Sequence, residues 1–285
     1  MNRAFARCAW RSLFVLFLLV FSASTWAQDA EPEVIHYTSG GLSLQGFLYK
    51  PQGAGPFPAY LWNHGSEKNA GPANRVAKFW TDQGFVYFKP IRSGHGGNPG
   101  PYIGDQQKAI YRSFASQAAK FQQVAALHEK ANDDVVAAYR WLRAQPFVDP
   151  KRIVVAGGSF GGIQTLLTAE RDAREALGVK CFVAMSPAAM SWSPFWADRL
   201  EKAVKNARAP IFLLQAQNDF NLGPSHVLGP LVDAKGSPNR HQVFPTHLLP
   251  GGDPNDHQQG HAAFFADPSA WEKEILAYLH DCGER

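Results

Sequence analysis

The stretch Ile153-Val154-Val155-Ala156-Gly157-Gly158-Ser159-Phe160-Gly161-Gly162 limits the possible folds of this chain more than any other. A continuous apolar run stops at a serine boxed by glycines. Such runs read as strands covered on both faces, the habit of parallel sheets. Glycine on either side of the serine lets neighbouring backbone approach closer than a β-carbon would permit. The pattern Gly157-x-Ser159-x-Gly161 therefore predicts a buried strand, a strained corner that projects the serine oxygen, and a helix start. A glycine-rich turn with no chemistry is the plainer reading of the same residues, and partners elsewhere in the chain decide between the two.

Around this stretch the pattern keeps changing period. Residues 34–49 alternate, with Leu42, Leu44, Gly46 and Leu48 opposed to Ser43, Gln45 and Phe47, which predicts two antiparallel edge strands. Ala59-Tyr60-Leu61-Trp62, Phe85-Val86-Tyr87-Phe88, Cys181-Phe182-Val183-Ala184-Met185, Ile211-Phe212-Leu213-Leu214 and Gln242-Val243-Phe244 read as further strands. Between them, helical spacing marks residues 73–83, one or two helices in 115–144, the segment after Ser159, and 271–279. Residues 188–206, rich in tryptophan and phenylalanine, read as a small cap or a surface helix. Strands alternating with helices in this order predict a mainly parallel sheet with helices on both faces.

In such sheets ligands meet the carboxyl ends of the strands. Asn218-Asp219 follows one strand and Gly260-His261 follows the last, so Ser159, Asp219 and His261 occur in the order serine, acid, histidine, separated by 60 and 42 residues. A serine hydroxyl attacks a carbonyl only if a base removes its proton. An imidazole does so when a carboxylate holds its tautomer and offsets its charge. The oxyanion that forms needs fixed donors: the backbone N–H of Phe160, and a second from the loop after Trp62, most simply at Ser66. Asp253 and Asp256 read as solvated turn acids, Asp233 as a surface residue, and His257 as the rival to His261. His64 reads as a brace for the oxyanion loop. His95, His241 and His247 lack the spacing of a zinc site, and the glycine loop at 94–97 lacks the Lys-Ser/Thr of a phosphate loop. No cofactor or metal is expected.

Residues 1–27 differ in kind from the rest. Arg3, Arg7 and Arg11 precede an apolar run and then small residues, as in a secretory signal peptide cut after Ala27. An uncleaved anchor is the alternative, although the run is short for a span of ~20 residues. Residues 28–285 are expected to form a single domain, exported to the periplasm or beyond. Without that segment the balance is 25 basic against 24 acidic residues, which argues against a nucleic-acid partner, and no stable membrane insertion is expected after cleavage. Cys181 and Cys282 read either as one disulfide or as a buried thiol and a terminal one. The oligomeric state is not legible. The aromatics of 99–121 and 192–196 either wall an apolar pocket or merely pack those segments onto the core.

These motifs resemble the α/β-hydrolase superfamily, and within it the dienelactone hydrolase-like branch. The resemblance runs from about Val34 to Leu279. It rests on His64-Gly65-Ser66, Arg92 with its glycine loop, Asp149-Pro150-x-Arg152-Ile153 leading into Gly157 to Gly162, Asn218-Asp219, and Gly260-His261-Ala262-Ala263-Phe264. It implies an α/β-hydrolase fold with an eight-stranded sheet and cleavage of esters or lactones. Dienelactone hydrolases proper carry cysteine where this chain has Ser159, which moves the expectation toward a serine carboxylesterase. A small prolyl-oligopeptidase-like peptidase, sharing the Asp-Pro-x-Arg-Ile lead-in, and a catalytically silent binding protein of the same fold are the alternatives.

Overall fold

A computed structural model describes residues 31–248, 252–253 and 255–283; the expected signal segment lies outside them. In chain order the elements are β1 (Glu33–Ser39), β2 (Leu42–Tyr49), β3 (Phe57–Asn63), α1 (Asn74–Asp82), β4 (Val86–Pro90), α2 (Ile103–Arg112), α3 (Gln117–Arg143) and β5 (Val148–Gly158). They continue with α4 (Phe160–Glu175), β6 (Cys181–Met185), α5 (Pro194–Asn206), β7 (Ile211–Ala216), α6 (Gly223–Asp233), β8 (Arg240–Phe244), α7 (His257–Ala266) and α8 (Glu272–Asp281).

The strands form one sheet in the order β1-β2-β4-β3-β5-β6-β7-β8. β1 and β2 pair antiparallel, as does β2 with β4; all later pairs are parallel. The expected eight-stranded, mainly parallel sheet is therefore present, with an antiparallel edge. Alternation along each strand feeds two cores. Ile153 and Val155 of β5 join α3, α4, α5 and α6 on one face, while Val154 and Ala156 join α1 and α8 on the other. Each large aliphatic side chain fully buried this way contributes about 1.5–3 kcal/mol.

Two features have no clear mark in the sequence. Residues 149–152, turn-like in composition, belong to β5: pairing passes from Phe57↔Val148 to Ala59↔Ile153, so a bulge absorbs the Asp-Pro-Lys-Arg segment inside the strand. A helix also follows the glycine loop. α2 begins after Tyr102, whose side chain makes no capping bond, so the usual sequence mark of a helix start is missing. By contrast α3 is one 27-residue helix capped by Ser116, whose hydroxyl accepts the Ala119 N–H. Cys181 is buried and Cys282 half-buried, and no disulfide joins them. Among the described residues no helix is long and apolar enough to cross a membrane.

Candidate active site

β5 runs into Ser159, which has φ 56° and ψ −119°, and α4 begins at the next residue. This is a costly conformation for a residue with a side chain. Tertiary contacts impose it: the Ser159 N–H donates to Met185 O of β6 at 2.9 Å, and Ile163 N–H returns to Ser159 O at 3.1 Å. The flanking glycines are needed for close approach. A β-carbon on Gly161 would stand 1.9 Å from Asn63 O, and one on Gly157 would stand 2.6 Å from Gly161 O.

Asp219 lies in the loop after β7. Its Oδ1 accepts the Phe220 N–H at 2.7 Å and lies 2.8 Å from His261 Nδ1, while Oδ2 accepts from Gln215 Nε2 at 2.9 Å. Gln215 is itself held by Ser225 Oγ. Three polar contacts around one buried carboxylate fix its orientation. α7 brings in the histidine. Asp256 caps that helix by accepting the Gln258 N–H at 2.9 Å, and Gly260 lets it lie against the acid loop, since a β-carbon there would be 2.5 Å from Asn218 Oδ1. His257 and His261, one turn apart, face the same loop. His257 Nδ1 meets only the Asn218 carbonyl, at 3.2 Å, and His261 takes the carboxylate.

The loop after β3 carries the expected oxyanion residue, Ser66. His64 Nε2 accepts the Arg92 N–H at 3.2 Å. The neutral ring therefore carries its proton on Nδ1, which donates to Gly65 O at 3.0 Å. Arg92 Nη2 donates to the same oxygen at 2.6 Å. Burial and the neighbouring Arg92 hold the His64 imidazole well below its ordinary pKa, which suits this neutral role. Because a trans peptide points its N–H opposite its C=O, pinning Gly65 O fixes the direction of the Ser66 N–H. His64 thus braces the loop that carries Ser66. The glycine loop packs beneath: Gly96 N–H donates to Lys68 O at 2.8 Å, and a β-carbon on Gly96 would be 2.4 Å from Ala70 O.

Ser159, Ser66 and His261 open onto one cavity of about 500 Å³, walled by Trp62, Val76, Tyr87 and Met190 among others. Of the aromatics weighed as walls, Trp196 packs on His128, Phe195 stacks on Phe121, and Phe114 is fully exposed. Those segments pack onto the core or face solvent, and Tyr102 touches the site only through its hydroxyl, which donates to Ser66 O at 2.6 Å. Sequence reasoning missed Lys89, Gln215 and the buried side chain of Arg92. A charged or amide residue at the end of an apolar strand was the available signal. Among the described residues no three His, Cys, Asp or Glu side chains cluster as metal ligands.

A family model for the prolyl oligopeptidase family matches residues 111–199, the span from α2 through the elbow to α5. The chain is 30% identical over 145 residues to the uncharacterized peptidase YtmA of Bacillus subtilis (strain 168), covering 50% of this chain and 47% of that protein. It thus spans about half the length of that curated relative. Among solved structures, a putative dienelactone hydrolase from Klebsiella pneumoniae subsp. pneumoniae superposes with TM-score 0.60 at 15% identity, over 87% of this chain and 97% of that one. Esterase 2 of Thermogutta terrifontis, phosphoramylated by tabun, gives 0.58 at 18% identity, over 90% and 97%. At such identities these two speak for the fold. The chain has the α/β-hydrolase fold, similar to that of these dienelactone hydrolase and esterase structures, with a stretch similar to the prolyl oligopeptidase family around its elbow.

Proposed function

We propose that this protein is a serine hydrolase that cleaves carboxylic esters or lactones through an acyl-enzyme on Ser159. The observation that carries the reading is the buried His261–Asp219 pair, 2.8 Å apart, whose imidazole lines one cavity with a serine held at positive φ. His261 Nε2 takes the hydroxyl proton as Ser159 Oγ attacks the carbonyl carbon. The Phe160 and Ser66 N–H groups receive the oxyanion. The protonated imidazole, steadied by Asp219, then hands its proton to the leaving alcohol, and water repeats the cycle to release the acid. Oxyanion donors of this kind are worth about 10²–10³ in kcat each.

A fluorophosphonate probe tests the reading: the unmodified protein is expected to label and Ser159→Ala to stay blank. No labelling of the unmodified protein would leave a silent member of the fold. A peptidase is the second reading, favoured by the family match and the YtmA similarity. A panel of acyl esters against aminoacyl and prolyl amides separates the two, and faster amide than ester turnover would decide for the peptidase. We also place the enzyme outside the cytoplasm, on the character of residues 1–27. Mass analysis of the exported protein, with an amino terminus at Gln28, is the check.

A further inference from the structure

β4 interrupts an apolar core with a cation. Val86 and Phe88 point to one face of the sheet, and Tyr87 and Lys89 to the other, where both line the cavity that holds Ser159. The Lys89 side chain is only 9% exposed, and its one ion pair among the described residues is with Glu67 at 3.8 Å, longer than a hydrogen bond. Glu67 itself sits half in solvent on the oxyanion loop. The Tyr87 hydroxyl, also buried, has no hydrogen-bond partner among the described residues. Burial pushes the Lys89 ammonium below its ordinary pKa, and Glu67 only partly offsets this. A desolvated ammonium on the cavity wall is a donor in search of an acceptor, and it gains most from an acceptor that is charged; the unpartnered Tyr87 hydroxyl lies buried on the same face of β4.

We infer that Lys89, with Tyr87 beside it, forms a carboxylate-binding subsite, so that the preferred substrates are esters whose acyl chain itself carries a carboxylate. The acyl side follows from the sheet order. β4 lies beyond β3 from the Ser159 strand, whereas Asp219 comes from β7, on the opposite side. The leaving alcohol must sit at His261 to receive its proton, and the acyl group turns toward β4. Glu67 competes with the substrate for the same ammonium and weakens its binding.

This inference rests on the serine-hydrolase reading, and the experiment keeps the two apart. With the mature chain, kcat/KM is measured for mono-p-nitrophenyl esters of glutaric and adipic acid and for neutral p-nitrophenyl esters of equal chain length, after subtraction of spontaneous cyclisation. The anionic esters are expected to be preferred by about tenfold or more. In Lys89→Met that ratio falls to about one or below, mainly through KM, while Lys89→Arg retains part of it and Glu67→Gln raises it. Methionine is near in length and apolar, so a buried site accepts it and thermal unfolding reports that the fold is intact. A preference for neutral esters in the unmodified protein overturns the subsite. So does a ratio untouched by Lys89→Met, or a gain seen only when the carboxylate is on the alcohol. Loss of both ester activities together with absent fluorophosphonate labelling refutes the serine-hydrolase reading, and the subsite with it.

Discussion

The guanidinium of Arg92 lies over the ring of Phe160, 4.5 Å from its centre, while its Nη2 holds the Gly65 carbonyl at 2.6 Å. One buried side chain thus touches Phe160, one proposed source of an oxyanion donor, and the Gly65 carbonyl, whose peptide carries the other, the Ser66 N–H. Burial lowers its pKa only to about 10, so it stays charged at neutral pH. Arg92→Lys keeps the charge and loses the planar fork. Its kcat is expected to fall about 10–100-fold with little change in KM, since a small misplacement of donors is felt in the transition state. Equal changes in kcat and KM would mean that Arg92 serves the fold alone.

His261 and His257 are one turn apart on α7, yet only His261 meets a carboxylate. His261→Ala should abolish turnover of a p-nitrophenyl ester, and His257→Ala should leave most of it. Asp219→Asn should lower kcat by about 10³–10⁴ through loss of the correct tautomer. Parallel losses in both histidine variants would contradict the assignment.

Strain and close approach at the elbow give opposite signs for two small substitutions. Ser159→Gly removes a side chain from a residue at φ 56°, and relief of roughly 1 kcal/mol should raise Tm by about 2–4 °C while ending activity. Gly161→Ala drives a β-carbon to 1.9 Å from the Asn63 carbonyl. Backbone cannot yield there cheaply, and a loss of more than about 3 kcal/mol, or failure to accumulate folded protein, is expected. Differential scanning calorimetry reads both.

Three buried imidazoles near the site predict acid lability. Burial, helped by Arg92, lowers His95 to about 4 and His128 to about 3, and holds His64 well down. In the unfolded chain each takes a proton near pH 6.5, roughly. Acid therefore favours unfolding: the stabilisation is complete above about pH 6.5 and drains away as pH falls through 4 toward 3. Urea melts between pH 7 and pH 4.5 should show the loss. His128→Gln should flatten its slope by about 1.4 kcal/mol per pH unit, and an unchanged slope would show that His128 takes no part.

Much of this molecule was legible in one dimension. A strand of Ile153, Val154 and Val155 reads as buried because apolar residues run without alternation, and its glycines announce a close approach before the neighbour is known. The order Ser159, Asp219, His261 is legible because strand ends share one edge of a parallel sheet. Other features were not. The start of α2 has no capping side chain to mark it, the bulge at 149–152 exists only through pairing with β3, and Phe195 and Trp196 were candidate walls until their partners, Phe121 and His128, were seen.

The amino-acid sequence alone determined the alternating layers, the serine corner and the order of its partners, because periodicity and steric permission are local properties of neighbouring residues. Only the tertiary structure decided which histidine faces the carboxylate, that Arg92 joins the two sides of the proposed oxyanion site, and that Lys89 stands half-satisfied on the cavity wall. Those outcomes depend on distances between residues 20 to 70 positions apart in the chain, and such distances are set by packing.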